Sequence, residues 1–121
     1  MRLRLLALAL LGCLGLGLAA GCANPFKAPL SPEQDVLGTA RATLRAVEEG
    51  QWTTAEEQYD RLVAAWRAIQ RRIYLNADEG DIRDFEETLS ELRAYVRLRE
   101  QTDAVATLYR LETLWHNLAK F

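Results

Sequence analysis

The stretch 52-WTTAEEQYDRLVAAWRAIQRRI-73 sets apolar side chains at Trp52, Ala55, Tyr59, Leu62, Trp66, Ile69 and Ile73. The steps alternate strictly between three and four residues. That spacing keeps one side of an α-helix against its neighbours along its whole length. The charged residues from Glu56 to Arg72 fall between these positions, so the stretch reads as a long amphipathic helix with one buried stripe. Thr53 is placed to cap it with Glu56 three residues on, and the helix is expected to end near Asn76. A stripe of about six turns cannot bury itself, and the flanking sequence supplies its partners.

Upstream, Ser31-Pro32-Glu33-Gln34 has the form of a capping box with proline in the first helical turn. Leu37, Ala40, Leu44 and Val47 follow at helical spacing, and Gly50 stops the helix. Downstream, residues 77–80 form a turn. A third helix beginning near Asp81 buries Ile82, Phe85, Leu89, Leu92 and Val96. After a break at Glu100 and Gln101, Thr102 is placed to cap a fourth, which buries Ala104, Leu108, Leu111, Trp115 and Leu118. No segment alternates with period two. The expected fold is all-α: four amphipathic helices in two antiparallel hairpins, packed as a four-helix bundle or in the manner of tetratricopeptide repeats.

The two hairpins repeat each other. A shift of 49 residues carries Val47, Thr53, Ala55, Arg61, Leu62 and Trp66 onto Val96, Thr102, Ala104, Arg110, Leu111 and Trp115. Tyr59 falls on Leu108 and Ile69 on Leu118. The first helices match poorly, since Leu44 falls on Arg93. The run from Gly50 to Ala55 with Tyr59 also looks like part of a tetratricopeptide repeat. The helix before it lacks that motif's residues, so shared hairpin packing explains the likeness.

Residues 1–21 have a basic head (Arg2, Arg4), an apolar run and small residues before Cys22, which is the form of a secretory signal peptide. The ending Leu18-Ala19-Ala20-Gly21-Cys22 resembles a bacterial lipobox, with Ala19 where leucine is usual. Cys22 is then the lipidated first residue of the mature chain. Cys13 is a rival site that leaves too short an apolar run. An uncleaved N-terminal membrane helix is the alternative anchor, since residues 3–20 just reach the roughly 18 residues a span needs. Residues 22–30, with Pro25 and Pro29, form a tether, and 31–121 the helical domain. Loss of Arg2 and Arg4 leaves 13 basic against 17 acidic residues, a net charge of −4. That balance disfavours nucleic acid as a partner. With Cys13 removed and Cys22 acylated, the domain has no thiol for a disulfide, a nucleophile or a metal.

Chemistry-bearing residues are few. His116 is the only histidine, which excludes any site needing two in one chain. Glu112 lies one turn before it and makes at most a two-ligand pair. Ser31 serves as a cap and Ser90 lies in mid-helix without a glycine elbow, so serine catalysis is disfavoured. A calcium loop starting at Asn76 would have Glu87 at its twelfth place. Its sixth place holds Asp81 where glycine is needed, and Gly80 sits where a ligand should be. Acids at a helix start explain the same residues. Arg67, Arg71 and Arg72 read as a helix C-terminus facing the acids of the next helix, with anionic lipid as the rival reading. No catalytic residue, metal site or cofactor is expected. Tyr95 and Tyr109, less clearly placed in the core, are the candidate interaction surface.

The segments Glu49-Gly50-Gln51-Trp52, Ala55, Trp66, Ile82 to Leu92 with Arg93-Ala94-Tyr95-Val96, and Ala104 with Leu108 resemble the DUF4363 domain family. That resemblance covers most of the mature chain. It implies a small bacterial protein with an N-terminal membrane segment and an exported helical domain, and it supplies no activity to carry over. The expectation is a protein anchored on the extracytoplasmic face of the cell membrane. It would act as an interaction or scaffold module for an envelope protein rather than as an enzyme. The rival is a sensor that binds a small molecule or metal between the hairpins. Each tryptophan of the repeat carries about 150–250 Å² of surface into the core. Trp66→Ala or Trp115→Ala is therefore expected to cost about 3–5 kcal/mol. A thermal melt within a degree or two of the parent would refute that anchoring role.

Overall fold

Asp35, not Ser31, starts the first helix. In the computed structural model, which describes residues 26–118, Pro32–Gln34 forms a single 3-10 turn and the Ser31 side chain caps nothing. Helix α1 (Val36–Glu48) begins where the Asp35 carboxylate accepts a hydrogen bond from the Gly38 N–H at 2.9 Å. A side chain at position 38 would collide with that carboxylate, so the cap depends on the glycine. Gln34, the expected box partner, accepts from the Leu30 N–H and from Arg72 instead. The buried face of α1 becomes Val36, Ala40, Thr43, Ala46 and Val47, with Leu37 and Leu44 only partly covered.

Helix α2 (Trp52–Tyr74) starts before Thr53 can act as a cap and makes no side-chain cap bond, so the Thr53–Glu56 box does not form. It ends two residues short of Asn76. Its stripe is buried as the spacing predicts, from Ala55 to Ile73, with Trp52 half-buried. Helix α3 (Glu79–Leu98) begins two residues before Asp81 because the Asp78 carboxylate accepts from the Gly80 N–H at 2.7 Å. Helix α4 (Gln101–Asn117) starts one residue before Thr102, also without a side-chain cap. The Gln101 amide turns away from its own helix. It donates to the carbonyls of Val47 and Glu48, covering the C-terminal end of α1.

Helix α1 packs on α2 and α3 on α4. Helix α1 also lies along α4, while α2 and α3 make the thinnest of these four contacts. An open repeat array holds its first and last helices apart. Here they touch, so the packing is a closed four-helix bundle. In its core Phe85 stands between the two tryptophans, 4.5 Å from the Trp66 ring and 6.1 Å from the Trp115 ring. Only threonines are polar and buried among the described residues. Thr43 and Thr88 each donate to the carbonyl four residues earlier.

The structure extends the repeat to the first helices. Under the same shift Val36, Ala40, Thr43 and Val47 fall on Phe85, Leu89, Leu92 and Val96, all buried. Asp35 and Thr39 fall on Asp84 and Thr88, and both threonines bond the aspartate carbonyl. Leu44 and Arg93 obscured the match because they stand at the edge of the core face, where Leu44 is partly buried and Arg93 exposed. The hairpin turns are equivalent as well. Gly50 (φ 69°) and Arg99 (φ 55°) each close a Schellman motif. Gln51 and Glu100 donate to the carbonyls of Ala46 and Tyr95, and Gly50 and Arg99 donate to those of Val47 and Val96.

A left-handed conformation is free for glycine and costly for arginine. Arg99→Gly is expected to stabilise the fold by about 0.5–1 kcal/mol. Gly50→Ala is expected to destabilise it by a similar amount, read as opposite shifts in the urea midpoint.

Candidate functional site

The repeat makes the α1–α4 and α2–α3 contacts counterparts, yet only the first is closed. Arg41 bridges α1 to Glu112 on α4. Leu37 and Leu44 lie on the helical stripe of Arg41, and with Val105 they pack against the core. Their counterparts on the other side are Glu86, Arg93 and Glu56. Charged side chains cannot be pressed into an apolar seam without partners. There α2 and α3 stand apart over a groove of about 830 Å³.

Buried Tyr59, Trp66, Leu89 and Val96 lie at the groove. The Tyr59 hydroxyl donates to the Leu89 carbonyl at 2.9 Å, tying α2 to α3 through an aromatic arm. Burial pushes that hydroxyl's pKa up, opposed by the nearby charges of Arg93, Arg67 and Arg97 and reinforced by Asp60. At the end next to the α2–α3 turn, the Glu86 carboxylate accepts from the Trp66 indole (3.2 Å), the Gln70 amide (2.7 Å) and the Tyr74 hydroxyl (3.1 Å). Away from that end the walls carry Glu56 and Asp60 on α2 and Arg93 and Arg97 on α3. Among the described residues no ion pair joins the two walls. These wall residues were missed in the sequence. Setting the two halves side by side and asking where Leu37, Leu44 and Val105 meet charge would have found them.

The residues singled out in the sequence are dispersed. Tyr95 packs partly on the core, and its hydroxyl donates to Glu91 at 3.3 Å. The Glu91 charge raises the pKa of that hydroxyl. Tyr109 is 56 % exposed. Glu91 also holds Arg110, the residue after Tyr109. His116 stands 3.7 Å from Glu112. Arg72 donates to the Ala28 carbonyl and to Gln34, and Lys27 to the Trp115 carbonyl, so part of the expected tether is held against one end of the bundle. Among the described residues no group of three or more candidate ligands is placed to hold a metal ion. No helix there is long and apolar enough to cross a membrane. The segment 1–21 and Cys22 lie outside the described residues.

A family model described as "Domain of unknown function (DUF4363)" matches residues 34–121. No curated protein and no solved structure matches the chain.

The Arg41–Glu112 pair that closes the sister contact has a pH signature. The hydrogen bond from Arg41 holds the Glu112 carboxyl below the usual carboxylate range, helped by the charges of Arg41 and His116. A carboxyl lowered on folding stabilises the fold above its unfolded pKa, about 4.3, and loses that contribution as pH falls through the lower folded value. Glu112→Gln is therefore expected to lose about 0.5–1 kcal/mol at pH 7, given that Arg41 is half exposed. The difference from the parent should shrink toward pH 3 in urea titrations.

Proposed function

The chain belongs to the DUF4363 family. On that footing we propose that it is a protein-interaction module, not an enzyme, held on the extracytoplasmic face of the cell membrane by a lipid on Cys22. One observation carries the interaction reading: among the described residues the interior is filled with apolar side chains and threonines, and an open surface groove lies between charged walls. A sensor of the kind weighed from the sequence is favoured by a pocket that holds buried charge, whereas Glu56, Asp60, Arg93 and Arg97 are exposed on the groove walls, which suits contact with a protein surface. Tyr109, with most of its ring in solvent, offers a second point of contact for an envelope protein.

The tether is supported by the chemistry of one end of the bundle. Residues 27 and 28 are held there by Trp115 and Arg72. Leu30 (79 % exposed) and Leu75 (81 %) lie next to that region, with Arg71 in solvent beside them. Exposed leucines beside arginines suit the interface of an anionic bilayer.

The test is cross-linking in living cells, followed by purification of the membrane fraction and mass spectrometry. The expected result is one reproducible protein partner that is lost in Tyr109→Ala, and a chain that leaves the membrane fraction in Cys22→Ser. No partner above background would overturn the interaction reading. Retention of Cys22→Ser in the membrane would replace the lipid with an uncleaved helix.

A further inference from the structure

The groove carries an ordered set of charges. Along it α2 presents Glu56, Asp60 and then Arg67, while α3 presents Arg97, Arg93 and then Glu86. The bonds from Trp66 and Gln70 to Glu86 set the level of the two antiparallel helices. With the same rise per residue in each, Asp60 stands level with Arg93 and Glu56 with Arg97. Each of these levels has opposite charges on its two walls, and among the described residues no ion pair joins them. Between the charged ends, the exposed residues are small, Ala64 on α2 and Ser90 on α3, so another helix can approach closely.

A two-fold axis lying along such a groove exchanges its walls without changing their level. It lays α2 of one copy antiparallel over α3 of the other. Glu56 and Asp60 of each copy then meet Arg97 and Arg93 of its partner, and Arg67 meets Glu86. A patch complementary to itself is what an isologous interface requires. We propose that the α2–α3 groove is the seat of a second copy of this chain, docked about a two-fold axis that runs along the groove. The proposal deepens the interaction reading above by naming the groove's occupant.

The choice of axis has a second support, which rests on the tether already proposed. An axis along the groove puts residues 26–28 of both copies at the same end of the pair, as two chains anchored in one membrane require. An axis across the groove would send them to opposite ends. The charge ladder supplies pairing specificity and orientation, and the exposed wall residues with Ala64 and Ser90 supply the contact area, since the apolar floor is already buried within each copy.

The deciding experiment uses the full chain, purified in detergent micelles with two different tags and followed by sedimentation velocity. The parent is expected to dimerise, and more weakly as salt is raised. Asp60→Arg and Arg93→Asp each oppose like charges twice in their own dimers, so each should dimerise at least about tenfold more weakly. An equimolar mixture of the two restores opposite charges at both places, and its heterodimer should regain the parent's affinity. A ladder that only set the register of α2 and α3 within one chain would not respond to mixing. Glu56→Arg with Arg97→Glu repeats the test one turn further along. A parent chain that stays monomeric at about 100 μM would overturn the proposal. So would either single variant dimerising as well as the parent, or a mixture that stays monomeric. A dimer that captures no envelope protein in cells would overturn the envelope-partner reading alone. A monomer that still captures one would overturn this inference alone.

Discussion

The contact on which the bundle depends is Phe85 between Trp66 and Trp115. Each tryptophan belongs to the second helix of its own hairpin, and Phe85 is where the two hairpins meet in the core. Tilted aromatic packing at 4.5–6.1 Å adds geometric preference to a large buried area. Apart from Tyr59, the other fully buried side chains among the described residues are aliphatic or threonine, and such contacts set volume more than register. Toward the other end of the bundle, Ala55 and Ala104 are fully buried. Large residues at one end and small ones at the other let two similar hairpins close on each other without a disulfide or a metal.

The repeat explains both what is regular and what is not. Its regular parts are the buried faces, the threonine bonds at Thr39 and Thr88, and the two Schellman turns. These are local devices that any hairpin of this kind needs, and they recur at equivalent places. Where the halves differ, the difference has a structural result. Arginine at position 99 takes the backbone that glycine takes at 50, although it is strained there. At the outer stripe Leu37 and Leu44 become Glu86 and Arg93, and the seam between helices opens.

Long-period features were legible in the sequence and short-range ones were not. The stripe from Ala55 to Ile73, the number of helices and the pairing into hairpins follow from apolar spacing, which integrates over many residues. The helix starts were less legible: the caps expected at Ser31, Thr53 and Thr102 do not form, while the third helix begins within two residues of Asp81, near where it was expected. Ser31 lost to Asp35, which gained its advantage from a glycine three residues on. Thr53 and Thr102 lost to helices that begin before them. The closed bundle rather than an open array depends on α1 meeting α4, a contact between the two most distant helices that no local pattern encodes. Tyr95 looked exposed because it lies off the main stripe, yet a long aromatic side chain reaches the core from a flanking position. The groove was hidden for a related reason. Each of its charges is unremarkable on its own helix, and only the alignment of halves shows that it stands where its counterpart is apolar.

Why the groove stays open follows from comparing the two seams. Closing α2 on α3 would bring Glu56, Asp60, Arg93 and Arg97 together in a less hydrated space. The attraction of such pairs is largely offset by the loss of their hydration. The sister seam avoids that cost by using leucine and valine on either side of one Arg41–Glu112 pair at its solvent edge. Tyr59 spans the open seam instead, its hydroxyl reaching the Leu89 carbonyl while the charged walls remain in water. Along this seam the two hairpins are thus joined at the aromatic end and by this one arm, and opposite charges on the two walls stay hydrated and face outward. That arrangement gains from a partner surface carrying the same charges in the opposite sense, and the chain itself has one.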